Sequence, residues 1–260
     1  MPPPTVDPSA AATPTGPADD RANSKGSFRL GRVAGTDVFV HWSWFVAAYF
    51  LYRGDAAEGT PPAWAAAEYV AGFAVVLLHE FGHVLACRQV GGRADRVVLW
   101  PLGGLAFVNP PPRPGAMLWT TAAGPLVNVL LAPALFALAW ATAPDGEDPA
   151  SGLSGFLAGL SLFNVGILVF NLLPIYPLDG GRLLHAVLWW CFGPAVGLAI
   201  AAAIGLLAGA GLGVLAVSLG EWWLAVMAGF LTLGAFQGLQ QARLIRRLTR
   251  AARELDPGPA

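Results

Sequence analysis

Charged residues are scarce in this chain: only 12% of its 260 residues are Asp, Glu, Lys or Arg, compared with about 25% in soluble domains. The formal net charge is −1, so the chain has no basic surplus that would favour binding to nucleic acid. There are two cysteines, Cys87 and Cys191, which are too few for a disulfide framework. Both lie in apolar stretches, where packing as a small hydrophobic residue is more typical than redox or metal chemistry.

Long apolar stretches dominate the chain instead, with 55% hydrophobic residues. A transmembrane helix needs about 20 mainly apolar residues. We therefore predict an all-α polytopic membrane protein with about six transmembrane helices. The expected spans are residues 38–52, 63–87, 116–143, 152–173, 194–218 and 222–241. The first is short for a span, and the alternating residues 28–40 ahead of it indicate a strand at the membrane interface.

The two ends of the chain differ in composition from the spans. Residues 1–27 are rich in Pro and Ala with little to bury, which predicts a disordered tail rather than a secretory signal peptide. Residues 28–192 form the expected membrane core, and residues 193–242 form two additional transmembrane helices. Residues 243–260 are a basic tail, which we interpret as a topology anchor, with contact to the anionic inner leaflet as the alternative.

Arginine and lysine are distributed unevenly among the predicted loops. All of them except Arg53 lie in the two tails, between the second and third spans, or just after the fourth span. The other loops carry acidic residues instead, such as Asp55 and Glu147. Since basic residues accumulate in short cytoplasmic loops, we predict a multi-pass protein of the cell membrane with both termini in the cytoplasm.

Residues 96–108 are apolar but too short for a helical span, and Pro101, Gly103 and Gly104 interrupt them. Their Val, Leu, Trp and Phe content predicts a strand-like element. Non-helical backbone at membrane depth is tolerated only where protein buries it or where it lines a wet cavity. This segment therefore marks a place where the helix bundle is open.

The second span contains ionisable residues in the pattern His-Glu-x-x-His. Positions i and i+4 share one face of a helix, so His79 and His83 can bind one zinc ion while Glu80 faces a water at that ion. The bland alternative is two core histidines and a chance glutamate. A charged residue at the centre of a bilayer helix costs about 2.5–3.5 kcal/mol on insertion scales, so the metal site is the favoured interpretation.

A catalytic zinc ion usually has three protein ligands and one open position. Asp179 is the candidate third ligand, because it follows the fourth span where Pro174 and Pro177 break the helix and a glycine pair turns the chain. The predicted orientation places Asp179 and the His-Glu-x-x-His segment on the same side of the membrane.

These motifs together resemble the site-2 protease family of intramembrane zinc metalloproteases. The match comprises His79-Glu80-x-x-His83, Pro101-Leu102-Gly103-Gly104, Gly124-Pro125-Leu126-x-Asn128 and Asn171-x-x-Pro174-x-x-Pro177-Leu178-Asp179-Gly180, in the right order, within residues 28–192. Some relatives carry a PDZ-like insertion or a nucleotide-sensing domain after the last span. We expect neither here, since the 144–151 loop is short and the sequence stops at Ala260.

The resemblance implies specific roles. His79, His83 and Asp179 bind Zn²⁺, Glu80 is the catalytic acid and base, and Asn171 contributes near the oxyanion. The implied partner is a transmembrane helix of another membrane protein, which is cut within the lipid bilayer. The extended 96–108 segment is a candidate edge for pairing with an unwound substrate. The sequence leaves the oligomeric state open.

The alternative class is a zinc-binding membrane protein without hydrolysis, either a transporter or a scaffold for client helices. A transporter needs ligands along a path through the bilayer, yet the fifth and sixth spans contain neither Asp nor His. An inactive scaffold has no need of Glu80.

Three further polar residues have two interpretations each. For His41, interfacial anchoring is favoured over a role near the site, and for His185 a structural role is favoured. For Asn128, helix packing and support of the site are equally compatible with the sequence.

Overall fold

The computed structural model describes residues 26–46, 48–49, 61–100, 103–143 and 152–255. Within these ranges the chain forms a four-stranded sheet and a bundle of helices, with the first helix between the second and third strands. The strands are β1 (Ser27–Val33), β2 (Thr36–His41), β3 (Arg93–Trp100) and β4 (Gly103–Asn109). The helices are α1 (Pro62–Gln89), α2 (Pro114–Ala141), α3 (Gly152–Leu172), α4 (Asp179–Phe192), α5 (Pro194–Leu219) and α6 (Trp222–Leu255).

The four strands are ordered β1-β2-β3-β4, so β4 lies at one edge of the described sheet. The β1–β2 and β3–β4 pairs are antiparallel, and β2 pairs with β3 in parallel because helix α1 connects them. Val38, Val40 and Val97 pack with Val84 of α1 in one hydrophobic cluster. The sheet is therefore fixed against the end of the helix that carries the His-Glu-x-x-His motif.

Arg88, in the last turn of α1, adds polar contacts between this helix and the sheet. Its guanidinium donates to Thr36 Oγ1 at 2.7 Å and to the Ala94 carbonyl at 2.8 Å, and it also bonds the Ala34 carbonyl. These contacts link the β1–β2 turn and the start of β3 to the same helix end.

Proline and glycine set the helix boundaries. Proline occupies the first turn of α1, α2 and α5, where its missing N–H costs nothing. Helix α5 ends at Leu219 and is followed by Gly220, whose φ of +69° is the left-handed conformation that glycine adopts after helices.

The predicted fold class is confirmed: the structure is mainly helical with a small sheet beside the bundle. Five described helices (α1, α2, α3, α5 and α6) are long and apolar enough to cross a membrane. They match the second to sixth predicted spans. The predicted 96–108 strand is a hairpin of two strands, β3 and β4.

The start of the first predicted span is wrong. Residues 38–41, assigned to the 38–52 span, belong to strand β2. The physical reason is an alternation of period two, with Val38 and Val40 buried and Phe39 and His41 less so. Helical residues follow at 43–46 and 48–49, while 50–60 lie outside the described part of the chain, as do 1–25 of the predicted tail.

Helices α5 and α6 form a hairpin that packs on the proline turn, which we define as residues 173–178 between α3 and α4. Glycines permit this contact. A Cβ at Gly205 would lie 2.2 Å from the Tyr176 carbonyl oxygen, and a Cβ at Gly234 would lie 2.5 Å from Pro177 Cγ. The hairpin thus touches the turn that leads directly into Asp179.

Candidate metal centre

Helix α1 places His79 and His83 on one buried face. The two side chains are one helical turn apart, and their rings meet edge to face with centroids 4.9 Å apart. Both residues and Glu80 between them are less than 10% exposed. One ligand atom from each of the three lies within 4.8 Å of the other two, as the spacing of the motif predicts.

Asp179, the first residue of α4, completes the cluster. Its Oδ2 atom lies 3.1 Å from Nε2 of His79 and 3.2 Å from Nε2 of His83. The two Nε2 atoms are themselves 3.2 Å apart. The proline turn therefore brings a carboxylate 100 residues away in sequence from His79 into direct contact with both histidines.

These three atoms have the spacing that a zinc ion requires. Zinc binds nitrogen and oxygen at about 2.0–2.2 Å in tetrahedral geometry, which sets neighbouring ligand atoms about 3.3–3.5 Å apart. The observed separations of 3.1–3.2 Å are close to that edge length. Two histidine nitrogens and one carboxylate oxygen also make a donor set typical of catalytic zinc. The residues present fit this metal.

The other nitrogen of each histidine ring has a buried partner on α2. Nδ1 of His79 donates to Oδ1 of Asn128 at 2.5 Å, and Nδ1 of His83 donates to the Thr120 carbonyl at 2.9 Å. A bond of this kind fixes the ring orientation and leaves the Nε2 lone pair available for a metal. Asn128 thus contacts the site as well as packing between helices.

Helix α2 approaches the histidines closely at Gly124. A Cβ at this position would lie 2.3 Å from Nε2 of His83 and 2.8 Å from Nε2 of His79. The next residue, Pro125, has no N–H to donate to the carbonyl of Thr121, which weakens the helix at this turn. Gly124 therefore makes room for the two histidine rings.

The Glu80 side chain contacts strand β4. Its Oε2 atom accepts the Ala106 backbone N–H at 2.9 Å. A Cβ at Gly104 would lie 2.2 Å from the Glu80 Cγ, so only glycine leaves space for this side chain. The glycine-rich strand β4 therefore lies directly against the glutamate.

A cavity of about 1570 Å³ opens onto the cluster, larger than the roughly 300–1,000 Å³ of a small-molecule pocket. His79, Glu80, His83, Asp179 and Asn171 all line it. The cavity continues between the proline turn and the α5–α6 hairpin, where its walls are mostly apolar. All five residues singled out from the sequence therefore face one common space.

His41 and His185 lie outside this cluster. His41 stacks on Trp100 with ring centroids 4.2 Å apart and bonds Ser43. His185 bonds the Pro194 carbonyl at 3.2 Å and stacks on Trp189. Burial lowers the pKa of His185 below its ordinary value. Cys87 packs in the hydrophobic core beside the sheet, while Cys191 is exposed.

Sequence analysis missed two buried partners of the site, Thr120 and Asn164. Thr120 acts through its main-chain carbonyl, so no residue type could have revealed it. Asn164 carried a usable signal, because it is a second amide in an apolar span, two helical turns before Asn171. It is fully buried and bonds Asn128.

Comparison with known proteins defines the class of this fold and site. Residues 68–146 and 139–215 match the model of peptidase family M50, together more than half of the chain. The chain therefore belongs to peptidase family M50, which confirms the resemblance to site-2 proteases.

Individual relatives agree with that assignment. The chain is 36% identical over 185 residues to Rip3 of Mycobacterium tuberculosis, covering 67% of this chain and 47% of Rip3. It is 30% identical to the zinc metalloprotease MJ0392 of Methanocaldococcus jannaschii, covering 69% of this chain and 50% of that protein. The chain thus spans about half the length of these relatives. The solved structure of a site-2 protease from M. jannaschii matches with a TM-score of 0.64 at 26% identity, over 82% of this chain and 95% of the other.

Proposed function

We propose that this chain is an intramembrane zinc metalloprotease that hydrolyses a peptide bond in a transmembrane helix of another membrane protein. The observation that carries the proposal is the set of three ligand atoms, 3.1–3.2 Å apart, beside a buried glutamate. His79, His83 and Asp179 would hold Zn²⁺. The names of the M50 relatives and the size of the cavity support a metal-dependent reaction on a peptide chain.

The proposed reaction needs a base, an acid and stabilisation of negative charge. Zinc, when bound, supplies Lewis acidity that polarises the scissile carbonyl and promotes ionisation of a water. Glu80 takes one proton from the attacking water while the water oxygen forms a bond to the carbonyl carbon. Glu80 then gives this proton to the amide nitrogen as the carbon–nitrogen bond breaks, so a carboxylic acid and an amine leave.

Asn171 lines the cavity at the end of α3, and we assign its amide to the carbonyl oxygen that gains negative charge. A positioned donor of this kind is worth about 10²–10³ in rate. Asn171→Ala is therefore expected to slow cleavage without releasing the metal.

Strand β4 is the proposed docking edge for the substrate. It is an edge strand of the described sheet, and the Ala106 N–H that faces the site is bonded to Glu80. A client helix must unwind before its peptide bond is exposed, and an extended segment gains main-chain hydrogen bonds by adding to a sheet edge. Pairing along β4 would bring that segment beside the three metal ligands.

We propose further that both termini lie in the cytoplasm, as the arginine distribution predicts. This orientation places the sheet and the metal ligands toward the cytoplasmic face. Single cysteines introduced at Ala143 and Ala260, in a Cys87→Ala/Cys191→Ala background, test it. Membrane-impermeant labelling of intact cells should modify position 143 and leave position 260 unmodified. The reverse pattern would refute the orientation.

The metal assignment is tested first by zinc content per chain in detergent-purified protein. The wild type should carry about one zinc per chain. His83→Ala and Asp179→Ala should lose it, while His185→Ala, a buried histidine outside the cluster, should retain it. A folded wild type that stays free of zinc after reconstitution would refute the metalloprotease proposal.

Hydrolysis is tested by comparing the wild type with Glu80→Gln in membranes, by mapping new protein N-termini that lie within transmembrane segments. Cleavages present with the wild type should disappear with Glu80→Gln, although zinc stays bound. Identical N-termini in both membranes would leave a zinc-binding scaffold or transporter as the better description.

A further inference from the structure

Asn128 and Asn164 form a buried amide pair that connects α2 and α3 behind the metal centre. Both residues are fully buried. Nδ2 of Asn128 donates to Oδ1 of Asn164 at 2.7 Å, and Nδ2 of Asn164 donates to the Asn128 main-chain carbonyl at 2.9 Å. On its other side, Oδ1 of Asn128 accepts from Nδ1 of His79 at 2.5 Å. The chain of bonds therefore runs from a backbone carbonyl to a metal-ligand candidate.

The direction of each bond follows from one atom whose role is fixed. The Asn128 main-chain carbonyl can only accept, so the Asn164 atom facing it must be the NH₂ group. Oδ1 of Asn164 then faces the Asn128 side chain, and since it also can only accept, it requires the Asn128 NH₂ group. This leaves the Asn128 oxygen facing His79.

The orientation of the Asn128 amide determines which nitrogen of the His79 ring carries a proton. An amide oxygen cannot donate, so Nδ1 of His79 must carry a proton, and in the neutral ring Nε2 is then the nitrogen with the free lone pair. Nε2 is the atom that lies 3.1 Å from Asp179. The histidine is therefore kept in the tautomer that can bind a metal.

We propose that Asn164 is a positioning residue of the metal centre, which sets the tautomer of His79 by fixing which way the Asn128 amide points. This rests on the proposed function, because it takes His79 as a zinc ligand. Without the Asn164 acceptor, the Asn128 amide can rotate by half a turn and present its NH₂ group to His79. His79 would then hold its proton on Nε2 and could no longer bind zinc.

The plain alternative is that the two asparagines only hold α2 and α3 together, as buried amides do between membrane helices. The two roles differ in how they depend on Asn128. An aspartate at position 128 has oxygens on both sides, so it accepts from His79 whichever way it points. With Asn128→Asp in place, a positioning role for Asn164 becomes unnecessary, whereas a packing role does not.

A double-mutant cycle tests this difference, with zinc affinity measured by competition against a chelator. Asn164→Leu should weaken zinc binding about 10–100-fold, the usual effect of losing an outer partner of a metal ligand. In the Asn128→Asp background the same change should alter zinc affinity less than about threefold. Equal losses in both backgrounds would overturn the proposal, because independent effects add.

Two further variants separate this effect from folding. Ser161→Ala removes another buried polar side chain one turn away on α3 and should leave zinc affinity unchanged. Asn164→Asp keeps an oxygen for the Asn128 NH₂ group and should bind zinc within a few-fold of wild type. A loss in Asn164→Asp as large as that in Asn164→Leu would also refute the proposed role.

The tautomer itself can be observed in metal-free protein, which keeps this test independent of zinc binding. The chain has four histidines, so ¹⁵N shifts of labelled histidine can be assigned with single substitutions. His79 should be the Nδ1–H tautomer in wild type and a mixture in Asn164→Leu. An unchanged tautomer would overturn the inference. A wild type with the expected tautomer but no zinc binding would count against the proposed function alone.

Discussion

Helices α1 to α4, which carry or contact the candidate metal ligands, and the α5–α6 hairpin are built by different means, although both border the same cavity. In an apolar 18-residue window, 56% of α1 is buried, compared with 22% of α2 and of α3 and 28% of α5 and of α6. Among the described residues, every buried polar side chain lies before α5, from Thr36 to His185. Close packing at glycines, in contrast, occurs in both regions, for example at Gly124 and at Gly205.

The candidate metal ligands are held in place by two kinds of contact, hydrogen bonds at the histidines and packing at the turn before Asp179. His79 and His83 are oriented by bonds to α2, which leave little freedom to either ring. Asp179 instead follows a turn whose Tyr176 and Pro177 pack against glycines of the hairpin. The histidine side of the site should therefore respond both to lost hydrogen bonds and to added volume, and the aspartate side mainly to added volume.

The largest expected effect is at Gly124, where the two histidines leave no room for a side chain. Gly124→Ala should weaken zinc binding by about 100-fold or more, because its methyl group would displace both Nε2 atoms. Chelator competition measures the effect. Gly159→Ala on α3, where a Cβ meets nothing within 4 Å, is the control and should bind zinc like the wild type.

Gly104→Ala should separate the glutamate from the metal ligands. Its methyl group would overlap the Glu80 side chain, so we expect cleavage to fall about 10²-fold, within the range for loss of a general base. Zinc content should stay near one per chain. Gly115→Ala, with only ordinary contact to Trp190, serves as control. Loss of zinc in Gly104→Ala would show that β4 supports the ligands too.

Gly234→Ala tests the packed side of the comparison. The added methyl group would press on Pro177, and we expect a loss of about 1–3 kcal/mol in unfolding free energy. Gly229→Ala on the same helix meets open space and should be neutral or gain up to about 1 kcal/mol from helix propensity. Thermal unfolding in detergent compares the two. Equal midpoints would contradict docking of the hairpin on the proline turn.

The smallest effect is expected at the outer edge of the sheet, outside both regions. Arg29 and Asp37 form an ion pair at 2.6 Å, but the Arg29 side chain is 55% exposed. Arg29→Ala should cost at most about 1 kcal/mol, and this loss should shrink further at high salt. Unfolding midpoints at low and high salt measure it. A loss that is independent of salt would indicate a packing role for the Arg29 stem.

Residues that act through their type were predictable from the sequence. The spacing of His79 and His83 follows from helical geometry, and Asp179 follows from the break at two prolines. The alternation of residues 28–40 correctly predicted extended structure, which forms β1 and β2, but the first span was started at residue 38, inside β2. The Thr120 carbonyl was beyond prediction, since every residue has one and only the fold brings this one to His83.

The length of α6 has a consequence for depth. Its 34 residues extend about 51 Å at 1.5 Å per residue, well beyond a hydrocarbon layer of about 30 Å. The arginines that begin at Arg243 must stay at the lipid headgroups or beyond them. This requirement fixes the depth of the C-terminal end of α6 in the membrane. Gly238, which contacts Tyr176, lies five residues or about 7.5 Å before Arg243. Helix α6 contains no candidate metal ligand, yet through its contact with the proline turn it sets the depth of the Asp179 carboxylate beneath the headgroups.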